Sequence, residues 1–411
     1  MKQKLIIASE TIASSRTGSP CCFQICALCE DRRMIEASVQ PEKSESILNN
    51  IYIGRVKNIA SNINAAFVEI AGGRICYLPL EDLKNPVFTK KGSDKPLAAG
   101  DELAVQVVKE AMKLKDARVT TNLSISGEYA VLTSGRRETG ISSKISGKDR
   151  MRLRELAVQL EAEIPCSDGK RQFGLIIRTN AAGAGEADVR ADFQRILDEL
   201  SQIIAHAASR TVFSCLYKEQ PFYMKMLRDA DKTLLEEAVT DDAQVYEQIK
   251  AYARDSLKVR FYEDSMLSLA RLYNLAGQLE AAFYTRVWLK SGANIVIEHT
   301  EALTVIDVNS GRNVSKKDKQ ETHFKINLEA AQEIARQLRL RNLSGIIIVD
   351  FIDMYDKERN AALLQHFGSC LKEDPVPSEI AGLTRLGLVE LTRKKVKKPL
   401  AEQMNGNFSD F

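Results

Sequence analysis

Long apolar runs are missing from this 411-residue chain; none approaches the ~18–20 residues that a membrane-crossing helix needs. A secretory core is missing too, because Lys2 and Lys4 precede only a short apolar stretch, Leu5 to Ala8, and a signal peptide needs more. The expectation is a cytoplasmic protein with no membrane partner. A large excess of charge of either sign is missing as well. The formal net charge is only +3, so any nucleic-acid binding must come from local patches. Internal repeats and low-complexity blocks are absent. With 44% hydrophobic and 27% charged residues, the composition is that of an ordinary globular chain, not a disordered one. Its length suits two to four domains.

Eight cysteines are present, with Cys21, Cys22, Cys26 and Cys29 close together and the others at Cys76, Cys166, Cys215 and Cys370. In a reducing compartment they do not suggest a disulfide framework. Cys26 and Cys29 have a zinc-like spacing, but no second pair follows at a ligand interval. They also lie in an extended stretch, Cys22 to Cys29, that runs through a Glu30–Arg33 turn into a second strand. Residues three apart on a strand face opposite sides. Zinc is therefore not expected, and buried strand cysteines are.

The pattern changes several times along the chain, giving an α+β multidomain reading. Residues 1–38 look like a small β-hairpin unit. Strands at Ile51–Lys57, Ala65–Ile70, Ile75–Leu80, Leu103–Val108 and Val119–Ile125 fit a small β-barrel. Residues 127–207 combine a charged helix near Lys148–Glu163 with a strand, Phe173–Arg178. Residues 217–286 read as mostly helical, with Lys258–Tyr262 the clearest strand. From Val287, strand, helix and strand alternate before the basic run Arg393–Lys398, which is ordinarily a solvated end.

The strongest chemistry lies in two apolar runs that each stop on an aspartate: Thr304-Val305-Ile306-Asp307 and Ile346-Ile347-Ile348-Val349-Asp350. Buried strands end this way where they meet a polar cleft. Between them, Asn327–Asn342 carries Ala331, Ile334, Ala335 and Leu338 at helical spacing. A strand–helix–strand unit can bring both strand ends together. Two carboxylates suffice for a hard ion such as Mg²⁺, which keeps several waters and can activate one for attack at phosphorus. Asn309 could orient that water or the phosphate. Asp307–Gly311 also reads as a plain turn, so the pair is suggestive and not specific.

Four segments, Thr300–Gly311, Asn327–Leu343, Ser344–Met354 and Leu386–Lys394, closely resemble the ribonuclease E/G family. The resemblance implies a Mg²⁺-dependent endoribonuclease, with Mn²⁺ as an alternative metal. Asp307 and Asp350 would bind the metal, and Asn309 would assist. It further implies four parts: an RNase H-like subdomain in two stretches (1–38 and 208–286), an OB-fold RNA-binding domain (39–125), a 5′-sensor subdomain (126–207) and a DNase-I-like catalytic subdomain (287–398), followed by a tail (399–411).

Residues read from the pattern fit an RNA-holding role. With Ala66, Val68 and Ile70 on one face and Cys76, Leu78 and Leu80 likewise, Phe67 and Tyr77 point outward as a stacking platform. Shifted by one, they would be core instead. Lys115 would add a phosphate contact, and the basic run Arg393–Lys398 could guide RNA electrostatically. Gly174–Thr179 with Asn180–Gly185 resembles the family's 5′-end sensor, in which Arg178 and Thr179 would grip a 5′-monophosphate and Arg137 would border the pocket. From the residues alone, Arg178 reads as a strand-end arginine in a surface ion pair.

The sequence departs from the family after the catalytic segment. The Cys-x-x-Cys zinc link between protomers has no counterpart between Pro399 and Phe411, so a zinc-linked dimer is not expected, and a homodimer through other surfaces stays open. A long degradosome-type scaffold is not expected either. The expected partner is single-stranded RNA. A non-catalytic RNA-binding protein using the OB-fold is the competing reading, and a DNase a weaker third.

Overall fold

The computed structural model describes residues 2–13, 20–42, 46–92, 95–111, 115–135, 137–167, 170–253, 257–311 and 319–404. Lys113, Leu114, Arg312 and residues 405–411 of the expected tail lie outside them. The chain forms two units, one from Met1–Glu45 with Phe222–Phe411 and the other from Ser46–Pro221. The architecture is mixed α/β.

The first unit opens with β1 (Gln3–Ala13), β2 (Pro20–Glu30) and β3 (Arg33–Pro41), an antiparallel run. Asp31 and Arg32 turn β2 into β3 with φ of 45° and 67°, the positive-φ pair whose twist suits a two-residue hairpin. Cys26 and Cys29 are both buried but in different cores: Cys29 packs with Ile6 and Ile25, and Cys26 with Leu5 and Ile7. Burial raises both thiols, Cys29 to about 12. Cys21, by contrast, is exposed and Cys22 half-buried. The expectation of buried strand cysteines holds for the Cys26 and Cys29 pair.

The second unit holds β4 (Ile51–Ala60), β5 (Ala65–Ile70), β6 (Arg74–Pro79), β7 (Glu102–Lys109) and β8 (Ala117–Thr120). They pair in the order β4-β5-β6-β8-β7, and β7 pairs back onto β4, so the sheet closes into a barrel. Closure removes the open edges of a small sheet. The expected strand Val119–Ile125 is really two. It breaks after Thr120 and resumes as β9 (Ser124–Ser126), which pairs with β10 (Ala130–Thr133) in another sheet. The break follows from side-chain bonding: Thr121 Oγ1 donates to the Asp82 carbonyl, turning the chain away from the ladder. Sheet β11-β14-β10-β9 adds β11 (Thr139–Ile141) and β14 (Gly174–Ile177), beside a short ladder, β12 (Cys166–Ser167) and β13 (Lys170–Arg171). Helices α1 (Gly147–Glu163) and α2 (Glu186–Ala207) cover it, burying Leu153, Leu160, Phe193 and Leu200. Finally β15 (Cys215–Tyr217) joins the barrel edge at β4.

Back in the first unit, α3 (Phe222–Asp229) and α4 (Ala243–Ala253) flank β16 (Leu235–Thr240) and β17 (Lys258–Phe261). The sheet order is β17-β16-β1-β2-β3 with β16 parallel to β1, so residues 1–38 are not a freestanding hairpin. Glu236 and Glu237 hide β16 in the sequence. Glu237 is nonetheless buried and held by Lys4, Lys258 and Arg260, as a buried charge must be. Short helices α5 (Leu269–Leu272) and α6 (Leu275–Ala281) pack against the same sheet.

The last sheet runs β18-β19-β20-β21-β23-β22, with β18 (Arg286–Trp288), β19 (Asn294–His299), β20 (Leu303–Asn309), β21 (Gly345–Asp350), β22 (Ser378–Leu383) and β23 (Val389–Arg393). Helices α7 (Lys319–Arg341) and α8 (Lys357–Lys372) are packed against it. The first of these begins well before the expected Asn327. Ile326, Ala330, Ala331, Ile334 and Leu338 form its buried stripe, each large side chain contributing about 1.5–3 kcal/mol. Strands β20 and β21 are buried on one face only. Val305 is 36% and Ile346 52% exposed, because the strands alternate between the helix-covered core and an open face. The basic run is only partly a solvated end. Arg393 is buried, donating to Asp374 at 2.7 Å and to Asn342 at 2.8 Å, and Lys397 reaches Glu36 at 3.0 Å. A short helix, α9 (Leu400–Gln403), closes the described chain.

Candidate active site

Asp307 and Asp350 are direct partners in the parallel β20–β21 ladder. In-register residues of a parallel pair project from the same face, here the open one, while Ile306, Val308, Ile347 and Val349 fill the core behind them. Both aspartates are exposed. Asn309, two residues on and so on the same face, donates Nδ2–H to Asp307 Oδ2 at 2.7 Å. This fixes one carboxylate oxygen. Gly311 has φ of 69°, and a Cβ there would lie 2.6 Å from the Gly292 carbonyl. The turn leaving Asn309 therefore demands glycine at that point.

Partial burial and the neighbouring charges of Asp307 and Asp353 push the Asp350 carboxyl up from its ordinary value. Like charges brought together in this way are relieved by a cation. The donor set is hard oxygen from two carboxylates, and among the described residues no group of three or more His, Cys, Asp or Glu is gathered for a metal. This suits an ion that keeps most of its waters, as Mg²⁺ does, better than a four-ligand zinc cage. The residues present fit the expected metal.

Sequence reading missed the residues behind the pair. Asn327 and His323 on α7 bond the segment after Asp350. The signal was available: Asn327 falls on the apolar stripe of a helix, where a polar side chain needs a partner.

In the other unit, Phe67 and Tyr77 are opposite one another on β5 and β6. Ala66, Val68, Ile70, Cys76 and Leu78 are fully buried and both aromatics half-buried. Their rings meet edge to face with centroids 6.3 Å apart. Leu80, expected as core, is only partly buried, in the turn Leu80–Asp82. Lys115 is exposed just ahead of β8, which runs parallel to β6 with Arg118 level with Tyr77.

Arg178 and Thr179 follow β14. Arg178 Nη1 donates to the Gly127 carbonyl at 2.7 Å, and the hydroxyls of Thr179 and Ser142 are 2.8 Å apart. Ser142 arrives there because β11 runs parallel to β14, with Ile141 level with Ile177. Arg137 precedes the other end of β11, and its guanidinium reaches Asn85 at 3.4 Å. The ladder brings Arg178, Thr179 and Ser142 together and keeps the Arg137 backbone away from them.

The Ribonuclease E/G family model matches residues 124–396. Ribonuclease G of Escherichia coli (strain K12) is 31% identical over 381 residues, covering 89% of this chain and 76% of that protein. Ribonuclease G of Haemophilus influenzae is 31% identical over 390 residues, covering 91% and 78%. Ribonuclease E of E. coli K12 is 34% identical over 390 residues, covering 92% of this chain and 36% of that one. The chain belongs to the Ribonuclease E/G family.

Proposed function

We propose that this chain is a divalent-metal-dependent endoribonuclease that hydrolyses single-stranded RNA in RNA processing and decay. The observation that carries the proposal is the in-register pair Asp307 and Asp350, beside Asn309, in a member of that family. Asp307 and Asp350 hold the metal, and Asn309 fixes the Asp307 carboxylate in its ligating orientation. A bound Mg²⁺, or Mn²⁺ in its stead, would neutralise charge developing on the phosphate and make a water acidic enough to attack. Phe67 and Tyr77 stack bases, and Lys115 meets the backbone phosphate. Arg178 and Thr179 bind a 5′-monophosphate through guanidinium and hydroxyl donors, which would stimulate cleavage. Arg137 is the weakest member of this set, given its distance along β11.

The subdomain reading accompanies this function. The order β17-β16-β1-β2-β3 supports an RNase H-like part, and the closed barrel supports an OB-fold. The sheet β11-β14-β10-β9 with α1 and α2 supports the sensor, and the sheet β18–β23 with α7 and α8 the DNase-I-like part. The proposed location is the cytoplasm; no helix among the described residues is long and apolar enough to cross a membrane. The test is to offer matched RNA and DNA oligomers in Mg²⁺. Internal cuts in RNA alone support the reading, and binding without cutting, or cuts in DNA, overturns it.

A further inference from the structure

The segment leaving Asp350, residues 351–355, belongs to no strand or helix, and the β21–β23 ladder stops at Val349. Its backbone is held instead by one face of α7. Asn327, with no exposed surface, donates Nδ2–H to the Ile352 carbonyl at 2.8 Å and accepts from the Ile352 N–H at 3.1 Å. One turn earlier, His323 Nδ1–H donates to the Asp353 carbonyl at 3.2 Å. Gln320 Oε1 accepts from the Tyr355 N–H at 3.2 Å. Both backbone hydrogen-bonding groups of Ile352, two residues beyond Asp350, are thus satisfied by one buried side chain. A buried amide is costly unless fully bonded. The side chains of Phe351 and Met354 pack into the core, and the Met354 carbonyl accepts from Asn360 Nδ2–H at 3.0 Å, so side-chain hydrogen bonds do for the backbone of this segment what a strand ladder does elsewhere.

We propose that Asn327 is a positioning residue for Asp350. By locking the Ile352 backbone it takes over the missing ladder and sets the angle at which the Asp350 carboxylate faces Asp307. The inference rests on the reading of Asp307 and Asp350 as the metal-holding pair. Groups that orient a ligand are worth tenfold to a hundredfold in metal affinity or activity when removed.

The full chain is titrated with Mn²⁺, with free ion followed by electron paramagnetic resonance, and cleavage is measured against Mg²⁺ concentration. Wild type, Asp350→Asn and Asn327→Leu are compared, together with Asn327→Asp, which keeps the acceptor for Ile352 N–H and loses the donor. For Asn327→Leu we expect Mn²⁺ affinity at least tenfold weaker and kcat lower. RNA KM should stay within twofold, and raised Mg²⁺ should restore part of the rate. Asn327→Asp should fall between it and wild type. A merely structural role would lower the melting temperature and leave the metal titration where it was. Wild-type Mn²⁺ affinity in folded Asn327→Leu, while Asp350→Asn loses it, overturns the inference. Should the leucine variant not fold, the aspartate variant decides on the same criterion. If Asp350→Asn binds Mn²⁺ as wild type does, the reading of the metal pair fails first, and this inference with it.

Discussion

Asp350→Asn should make this protein inactive and, without divalent ions, more stable. In-register residues on adjacent strands are ~4.7–4.9 Å apart, so the Asp307 and Asp350 carboxylates approach to roughly 5 Å. At that distance two unit charges repel by roughly 0.8 kcal/mol at the dielectric of water and roughly 3 kcal/mol at an effective value of 20. Both side chains are exposed, so the lower end applies, and relief of about 1 kcal/mol is expected. The partial burial that raises the Asp350 carboxyl acts in the same direction. About 1 kcal/mol moves the midpoint of a domain this size up by ~2–4 °C. Saturating Mg²⁺ reverses the comparison, since an ion at a hundred times its Kd stabilises the protein that binds it by ~2.7 kcal/mol. Scanning fluorimetry in EDTA and then in Mg²⁺ measures both. A variant that melts lower than wild type in EDTA, or that gains as much from Mg²⁺, would refute the reasoning.

Three further predictions concern other parts of the molecule. Phe67→Ala should weaken binding of single-stranded RNA by ~1–3 kcal/mol with the barrel intact, since Phe67 faces outward from its core; unchanged affinity by fluorescence anisotropy would remove it from the platform. Arg178→Ala should slow cleavage of 5′-monophosphorylated RNA more than that of 5′-hydroxyl RNA, and equal loss on both would end the sensor reading. Burial alone would push the Glu36 carboxyl up, but Lys397 and Arg339 beside it outweigh that and hold it at about 2, against an ordinary 4.5. A depressed carboxylate stabilises above its unfolded value and loses that contribution as pH falls toward its folded one. Glu36→Gln should therefore cost on the order of 3 kcal/mol at pH 7 and progressively less between pH 4.5 and 2, read by urea melts; a gap independent of pH would refute this.

Where side chains follow one rule, the sequence was readable. The alternation Ala66, Val68, Ile70 against Phe67 placed two aromatics outward with no three-dimensional information. The runs ending at Asp307 and Asp350, with a helix between, were enough to bring two carboxylates side by side. Reading failed where tertiary contacts override local pattern. The strand at Leu235–Thr240 contains a buried glutamate that only its three cationic neighbours make tolerable. Val119–Ile125 looked continuous because nothing local announces the bond from Thr121 to Asp82. Arg393 looked like part of a solvated tail because its partners Asp374 and Asn342 are distant in sequence. Asn327 carried a local signal, a polar residue on an apolar stripe, but its partner backbone lies 25 residues away and nothing local names it.

The most direct test of the account is cleavage of a 5′-monophosphorylated, end-labelled single-stranded RNA by wild type and by Asp307→Asn, each with Mg²⁺ and with EDTA. The account predicts internal cuts only for wild type in Mg²⁺, with RNA binding retained in the variant. Cuts by wild type in EDTA, or by Asp307→Asn at the wild-type rate, would contradict it.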